Sequence, residues 1–440
     1  MSPPSGLTSL LVVGLTSCVL GAEKGGAPIS LPVRTVGRGA DAVRGLEPRG
    51  SAVANVLSSA DYYAIEVAIG APGQVVALEV DTGSWDLWVN PDCSNAGPIP
   101  GSSDRCKAAG QYWPSDTSTP EDPATATYQT TGFGQFAGDV NLSYYTDFVD
   151  IGVRLTNQIF GVATASHNES VGKMGLGPHP VYGFNETLVL SQIANLGYLN
   201  SRAFSLTLPS LDKPDGTGTL IFGGIDKGKF TGGLEKLDII PPEAAPVKKY
   251  ANWVRLDSLQ LYIPPFSFGT KYSLPQTLAT GGTGVIIDSG SSSVALPPNI
   301  TQAIYTQLSA TPDTSLGITL NKVDCGLRGS SGFLSFGFND TVISIEMREL
   351  VMDGASIGKN GSCYLLLYPN DIPLLGAPFL RAAYAIFDWD TQDIHIARSA
   401  NCGTDVQALE AGDEAMSGIV GNCFPSPKKA KLNAPVRRRW

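Results

Sequence analysis

One short pattern occurs twice in this chain and limits its fold more than any other feature. An apolar run, residues 75–80, leads into Asp81-Thr82-Gly83-Ser84, and Val285-Ile286-Ile287 leads into Asp288-Ser289-Gly290-Ser291. Each copy is followed, at a similar distance, by an apolar residue and a glycine. These are Met174-Gly175, with the glycine 94 residues after Asp81, and Leu375-Gly376, with the glycine 88 residues after Asp288. A single Asp-x-Gly is ordinary turn chemistry. Two copies, each behind an apolar strand and about half the chain apart, imply two similar lobes facing each other.

The rest of the chain agrees with such a plan. At 440 residues it is long for one hydrophobic core. Glycine is abundant, at 50 residues, and many short apolar runs are separated by Gly, Pro, Asn and Asp. Ile65, Val67 and Ile69 alternate with Glu66 and Ala68 before the turn Gly70-Ala71-Pro72-Gly73. This spacing predicts an all-β architecture, and with the repeat a two-lobed one. Residues 188–196 and 300–308 read as helices.

The expected organisation is a signal peptide over 1–22, a pro-segment or linker over 23–55, and lobes over 56–235 and 236–405. A basic, disordered tail over 406–440 completes it. Residues 10–20 hold a short apolar h-region followed by Gly21-Ala22, too short to span a bilayer. No later stretch reads as a transmembrane helix. The net charge of −10 hides basic ends: residues 51–425 alone carry −18. Such a body repels nucleic acid and anionic membrane surfaces. A low cation count also limits self-repulsion once carboxylates neutralise in acid. The basic end segment, residues 23–50, can lie across an acidic cleft until acid weakens that hold, which predicts a mature start between residues 51 and 61.

With Cys18 in the presumed signal, Cys93, Cys106, Cys325, Cys363, Cys402 and Cys423 remain. An even number in an exported chain suggests disulfides. Sequons at Asn141, Asn168, Asn185, Asn299, Asn339 and Asn360 fit the same secretory route. The expected location is extracellular, with the cell wall or vacuole as variants.

The duplicated motif carries chemistry. Each apolar strand buries backbone and delivers its aspartate to a turn, the glycine permits close approach, and the hydroxyls can hydrogen-bond the carboxylate. Two facing carboxyl groups cannot both ionise, so one keeps a proton. The charged member can deprotonate a water and the protonated one can hydrogen-bond a carbonyl. This needs no metal and no cofactor.

On these residues the chain resembles the pepsin-like aspartic proteases, in particular the secreted fungal branch, over about residues 62–397. Residues 81–89, Asp-Thr-Gly-Ser-Trp-Asp-Leu-Trp-Val, are similar to the first active-site signature, and residues 288–291 to the second. Residues 157–161, 218–226 and 375–381 are similar to other family landmarks. The resemblance implies barrel-like lobes with the active-site cleft between them. It implies a monomeric endopeptidase acting on polypeptides, with Asp81 and Asp288 catalytic. It implies that Thr82 and Ser289 cross-link the two loops, and that Ser84 and Ser291 hydrogen-bond the outer carboxylate oxygens. It also implies the bridges Cys93–Cys106 and Cys325–Cys363, leaving Cys402 with Cys423. The alternative is a weak or inactive relative that binds peptide or cell-wall polymer in its cleft.

One feature departs from the family. In the family, the flap that covers the cleft carries a Tyr just before Gly-x-Gly whose hydroxyl can reach a Trp, and the resemblance puts Trp88 at that Trp position. Here Gly132-Phe133-Gly134 is preceded by Thr131, and the nearest tyrosine is Tyr128. Either residue can fill the role. Phe133, Phe136 and Trp88 suggest an apolar cleft. His167, His179 and His395 stand in unrelated contexts, which disfavours a nucleophilic triad or a histidine metal site.

Overall fold

Alternating apolar residues and tight turns give the chain its strands. Tyr63–Ile69 and Gln74–Asp81 form an antiparallel hairpin, with Ile69 opposite Gln74. The turn between them places Gly70 at φ 85°, a conformation that favours glycine. Ile65, Val67 and Ile69 point into the core, as do Val76, Leu78 and Val80. The computed structural model describes residues 26–35, 62–121, 126–128, 138–178, 188–211, 218–248, 251–264, 276–412 and 414–424. Among these residues the fold is all-β in character, with short helices such as Val189–Asn195 and Pro298–Leu308 at its edges. None is long and apolar enough to cross a membrane.

The sheets give the two-lobed plan. A 15-stranded sheet contains the strands of the first lobe, and a seven-stranded sheet contains Trp253–Tyr262, Gln276–Ile287 and Phe333–Phe338 of the second. A four-stranded sheet contains Cys363–Leu365. The halves are not cleanly separated in sequence. Ala383–Asp388 and Asp393–Ser399 pair into the large sheet next to Ala203–Thr207 and Phe230–Asp238. The expected boundary at 235/236 therefore falls inside a strand, because these strands form a platform common to both lobes.

Two expectations about the ends need correction. Residues 23–50 do not lie outside the core throughout. Ile29–Thr35 is a strand paired with Gly218–Phe222, and Ile29, Leu31 and Val33 are buried. Pro32 disguises it in sequence. Only Arg34 and Thr35 pair with Tyr63–Ile69, so at Pro32 the strand is paired on one edge, which a residue without an N–H tolerates. Val33→Asp should lower unfolding free energy by about 3 kcal/mol or more, since it buries an unpaired charge. Ser30→Asp, on the exposed side, should change it by less than about 0.5 kcal/mol in the same denaturant titration.

The expected tail over 406–440 is also too long. Val406–Ala408 pairs with Gly224–Asp226, Val420–Asn422 pairs with Phe230–Asp238, and Leu409 and Met416 are buried. The Cys402–Cys423 bridge holds this return. The other bridges join Cys93 to Cys106 and Cys325 to Cys363. The expected signal peptide and the basic run at 428–439 lie outside the described residues.

Candidate active site

Both halves of the repeat build the same local structure. Gln74–Asp81 runs parallel to Gly172–Gly175, with Val80 opposite Met174 and Asp81 opposite Gly175. Gln276–Ile287 runs parallel to Leu374–Leu375, with Ile287 opposite Leu375. In each lobe the second strand also pairs antiparallel with the strand that follows the aspartate loop, Leu87–Val89 or Val294–Leu296. Each aspartate loop is thus clamped by a strand about 90 residues away. Leu176 N–H donates to Asp81 O at 2.7 Å, and Ala377 N–H donates to Ser291 O at 2.8 Å.

The loops meet tip to tip. Thr82 N–H donates to Ser289 Oγ at 3.0 Å and Ser289 N–H donates to Thr82 Oγ1 at 2.9 Å. The same hydroxyls reach across to backbone: Thr82 Oγ1 donates to Ile287 O at 3.2 Å, and Ser289 Oγ to Val80 O at 2.6 Å. Asn252 Nδ2 adds a bond to Thr82 O at 2.7 Å. All three side chains are buried, so the geometry is held rigidly. A Cβ on Gly83 would lie 2.6 Å from the Asp288 carboxyl, and one on Gly290 2.3 Å from Asp81 Oδ1. Only glycine allows this approach. The two carboxyl groups come within hydrogen-bonding reach of each other.

Their surroundings differ. Asp81 accepts from Gly83 N–H at 2.8 Å and from Ser84 Oγ at 2.7 Å, and Lys173 Nζ lies 3.4 Å from its Oδ2. Asp288 accepts from Gly290 N–H at 2.8 Å. Ser291 does not mirror Ser84. Its hydroxyl donates to Ser293 O at 3.1 Å and accepts from Ser293 N–H, closing a local serine turn, and it also meets the Tyr368 hydroxyl. This corrects the expected contact from Ser291 to the Asp288 carboxyl. Burial works against charge on Asp81, but the Lys173 cation, the Ser84 hydroxyl and the Gly83 N–H outweigh it and hold the carboxyl below its usual range. Burial and the Asp81 anion together push Asp288 above the usual range. The pair therefore favours a proton on Asp288 and a charge on Asp81.

Lys173, Glu79 and Asn252 were not among the expected site residues. Lys173 lies 3.2 Å from Glu79 Oε2 and 3.9 Å from Glu169 Oε2, all within nearly closed surroundings. A signal existed. Aligning Asp81 with Gly175 in the repeat puts Glu79 opposite Lys173, which is the register found.

Trp88 is buried against Val140, Leu142 and Tyr144, and its indole N–H meets no acceptor among the described residues. Of the two flap candidates, Tyr128 ends the short strand Ala126–Tyr128, and its side chain, Thr131 and Gly132 lie outside the described residues. His395 does have an acid beside it. Its Nε2 lies 2.9 Å from Asp393 Oδ1, and Lys236 Nζ lies 2.8 Å from Oδ2, within the shared sheet.

The geometry agrees with comparisons to known proteins. A family model described as eukaryotic aspartyl protease matches residues 62–399. Candidapepsin-1 from Candida albicans is 31% identical over 350 residues, covering 76% of this chain and 81% of that protein. "Probable aspartic-type endopeptidase opsB" from Aspergillus fumigatus is 29% identical over 394 residues, covering 83% and 74%. The fold is similar to the crystal structure of an aspartic proteinase from Irpex lacteus, with a TM-score of 0.61 at 17% identity, covering 85% of this chain and 98% of that one. The chain belongs to the eukaryotic aspartyl protease family.

Proposed function

We propose that this chain is an endopeptidase that hydrolyses peptide bonds of polypeptides in acid, using Asp81 and Asp288 to activate a water. One observation carries the reading: two buried carboxyl groups on opposed, cross-linked loops, with unlike hydrogen-bond donors. The charged Asp81 takes a proton from water, whose oxygen attacks the peptide carbonyl carbon. The Asp288 O–H hydrogen-bonds the carbonyl oxygen as negative charge develops there. The carbonyl oxygen takes that proton to give a diol. As the diol collapses it returns a proton to Asp288, the C–N bond breaks, and the amine leaves with the proton that Asp81 took from water. No bond to the protein forms.

Export fits this reading. Sequons, three disulfides and similarity to a protein named secreted aspartic protease 1 of Candida albicans support a secreted enzyme. The test is to incubate the purified chain with a denatured protein in acid and sequence the new termini. Cuts at internal peptide bonds are expected. Retention of peptide or cell-wall polymer without new termini would replace the reading with a binding protein.

A further inference from the structure

The two lobes repeat each other closely at the aspartate loops but differ two residues before each aspartate. In the second lobe Ile286 pairs with Leu374, both apolar and buried. The equivalent pair in the first lobe is Glu79 and Lys173. Lys173 is only 12% exposed, and it reaches past Glu79 to the outer oxygen of Asp81, the oxygen that also accepts from Ser84. A buried ion pair is commonly no more stabilising than a well-packed apolar pair of the same size. The second lobe shows that an apolar pair suits this register. The charge therefore calls for a reason at the neighbouring carboxylate.

We propose that Lys173 is a positioning residue that fixes the charge asymmetry of the pair, holding Asp81 as the anion and leaving the proton on Asp288, so that the site keeps working in stronger acid than an unassisted pair would. This deepens the endopeptidase reading and rests on it. Among the described residues, the charged groups that face Lys173 are carboxyls: Glu79 and Asp81 on its paired strand, Glu169 four residues before it, and Asp288 across the cleft. One cation serves them all. Asp81 has two further donors, in Gly83 and Ser84, so it is the group best able to stay charged as the pH falls. Burial pushes Glu79 up, above the usual range despite Lys173, so Glu79 takes a proton early. Lys173 is held protonated by its carboxylate neighbours against the effect of burial. The remaining nearby groups do not change this order. Asp86 faces Tyr144, and Tyr368 faces Asp288; burial raises both phenols, which stay neutral in acid.

The test copies the second lobe into the first. Glu79→Ile/Lys173→Leu is compared with Glu79→Ile alone, so that only the cation differs and no buried lysine loses all its partners. The acid limb of the kcat/KM profile on one peptide should move up by about one to two pH units in the double variant, an opposite charge at this range being worth about that much. Lys173→Arg should keep the limb near its wild-type position. An unmoved limb, or one displaced to lower pH, overturns the proposal in an enzyme that Asp81→Asn still inactivates. Activity surviving Asp81→Asn would instead overturn the endopeptidase reading. A second readout needs no turnover. In protein labelled with 13C at the aspartate carboxyl, the Asp81 signal, assigned by its loss in Asp81→Asn, should titrate about one to two units higher in the double variant than in Glu79→Ile. An unchanged titration overturns the proposal.

Discussion

Asp81→Asn and Asp288→Asn should each lower kcat/KM on a peptide substrate by roughly 1000-fold or more, with little change in thermal midpoint. Asn has nearly the shape of Asp, and the cross-links between the loops run through Thr82 and Ser289, not through the carboxyl groups. Gly83 and Gly290 can still donate to the side-chain oxygen that remains. What is lost differs between the two. Asp81→Asn removes the charge that takes the proton from water. Asp288→Asn removes the proton that meets the carbonyl oxygen. The measurement is steady-state kinetics of both variants beside a melting curve. More than a few per cent of residual activity in either would remove these residues from the chemistry.

Arg381→Met should lower unfolding free energy by about 3–5 kcal/mol, because it breaks a buried ion pair on one side only. The Arg381 side chain is fully buried. Its Nε donates to Glu349 Oε2 at 2.7 Å, its Nη1 to the Tyr63 hydroxyl at 2.9 Å, and its Nη2 to the Glu349 carbonyl. Glu349 also accepts from Ser210 Oγ and from Leu211 N–H, so this network joins the first half of the chain to the second. Removing the guanidinium leaves the Glu349 carboxylate with neutral donors and, among the described residues, only the half-exposed Arg348, 4.0 Å away, as a cation. It leaves the Tyr63 hydroxyl with Pro209 O at 3.4 Å. Arg381→Met/Glu349→Met should be milder than the single variant, which denaturant titration of both checks. The pair also suits acid. Burial works against charge on Glu349, but Arg381 and the Ser210 and Leu211 donors hold its carboxyl below the usual range. A carboxyl lowered by folding contributes fully above its unfolded value of about 4.3, and the contribution is lost only as pH falls through the lower folded value. The two halves should thus stay joined at the moderately acid pH where the aspartate pair is half-protonated.

The parts of this molecule that were legible in its sequence are those in which a short local pattern carries the whole constraint. Asp81-Thr82-Gly83-Ser84 and Asp288-Ser289-Gly290-Ser291 declare a strand, a turn and a close approach without reference to anything distant. The distant Met174-Gly175 and Leu375-Gly376 could be matched because the repeat supplies its own comparison. What stayed hidden depends on strand register or on hydroxyl rotation. Glu79 sits in an apolar run and Lys173 beside Met174, and neither signals the other until Gln74–Asp81 is laid against Gly172–Gly175. Ser291 has the same place in its motif as Ser84, yet Ser293 two residues on gives its hydroxyl a local partner. Pro32 made Ile29–Thr35 look like linker, although Ile29, Leu31 and Val33 keep the period of two that a half-buried strand needs.

The central claim is that two carboxyl groups work as a pair that holds one proton. The pH dependence of kcat/KM for a single peptide tests it most directly. The account predicts a bell with its maximum below neutral pH, falling on the acid side as Asp81 gains a proton and on the alkaline side as Asp288 loses its own. A rate that climbs steadily through neutral pH to a plateau would contradict it, because such a profile needs a base alone and no retained proton.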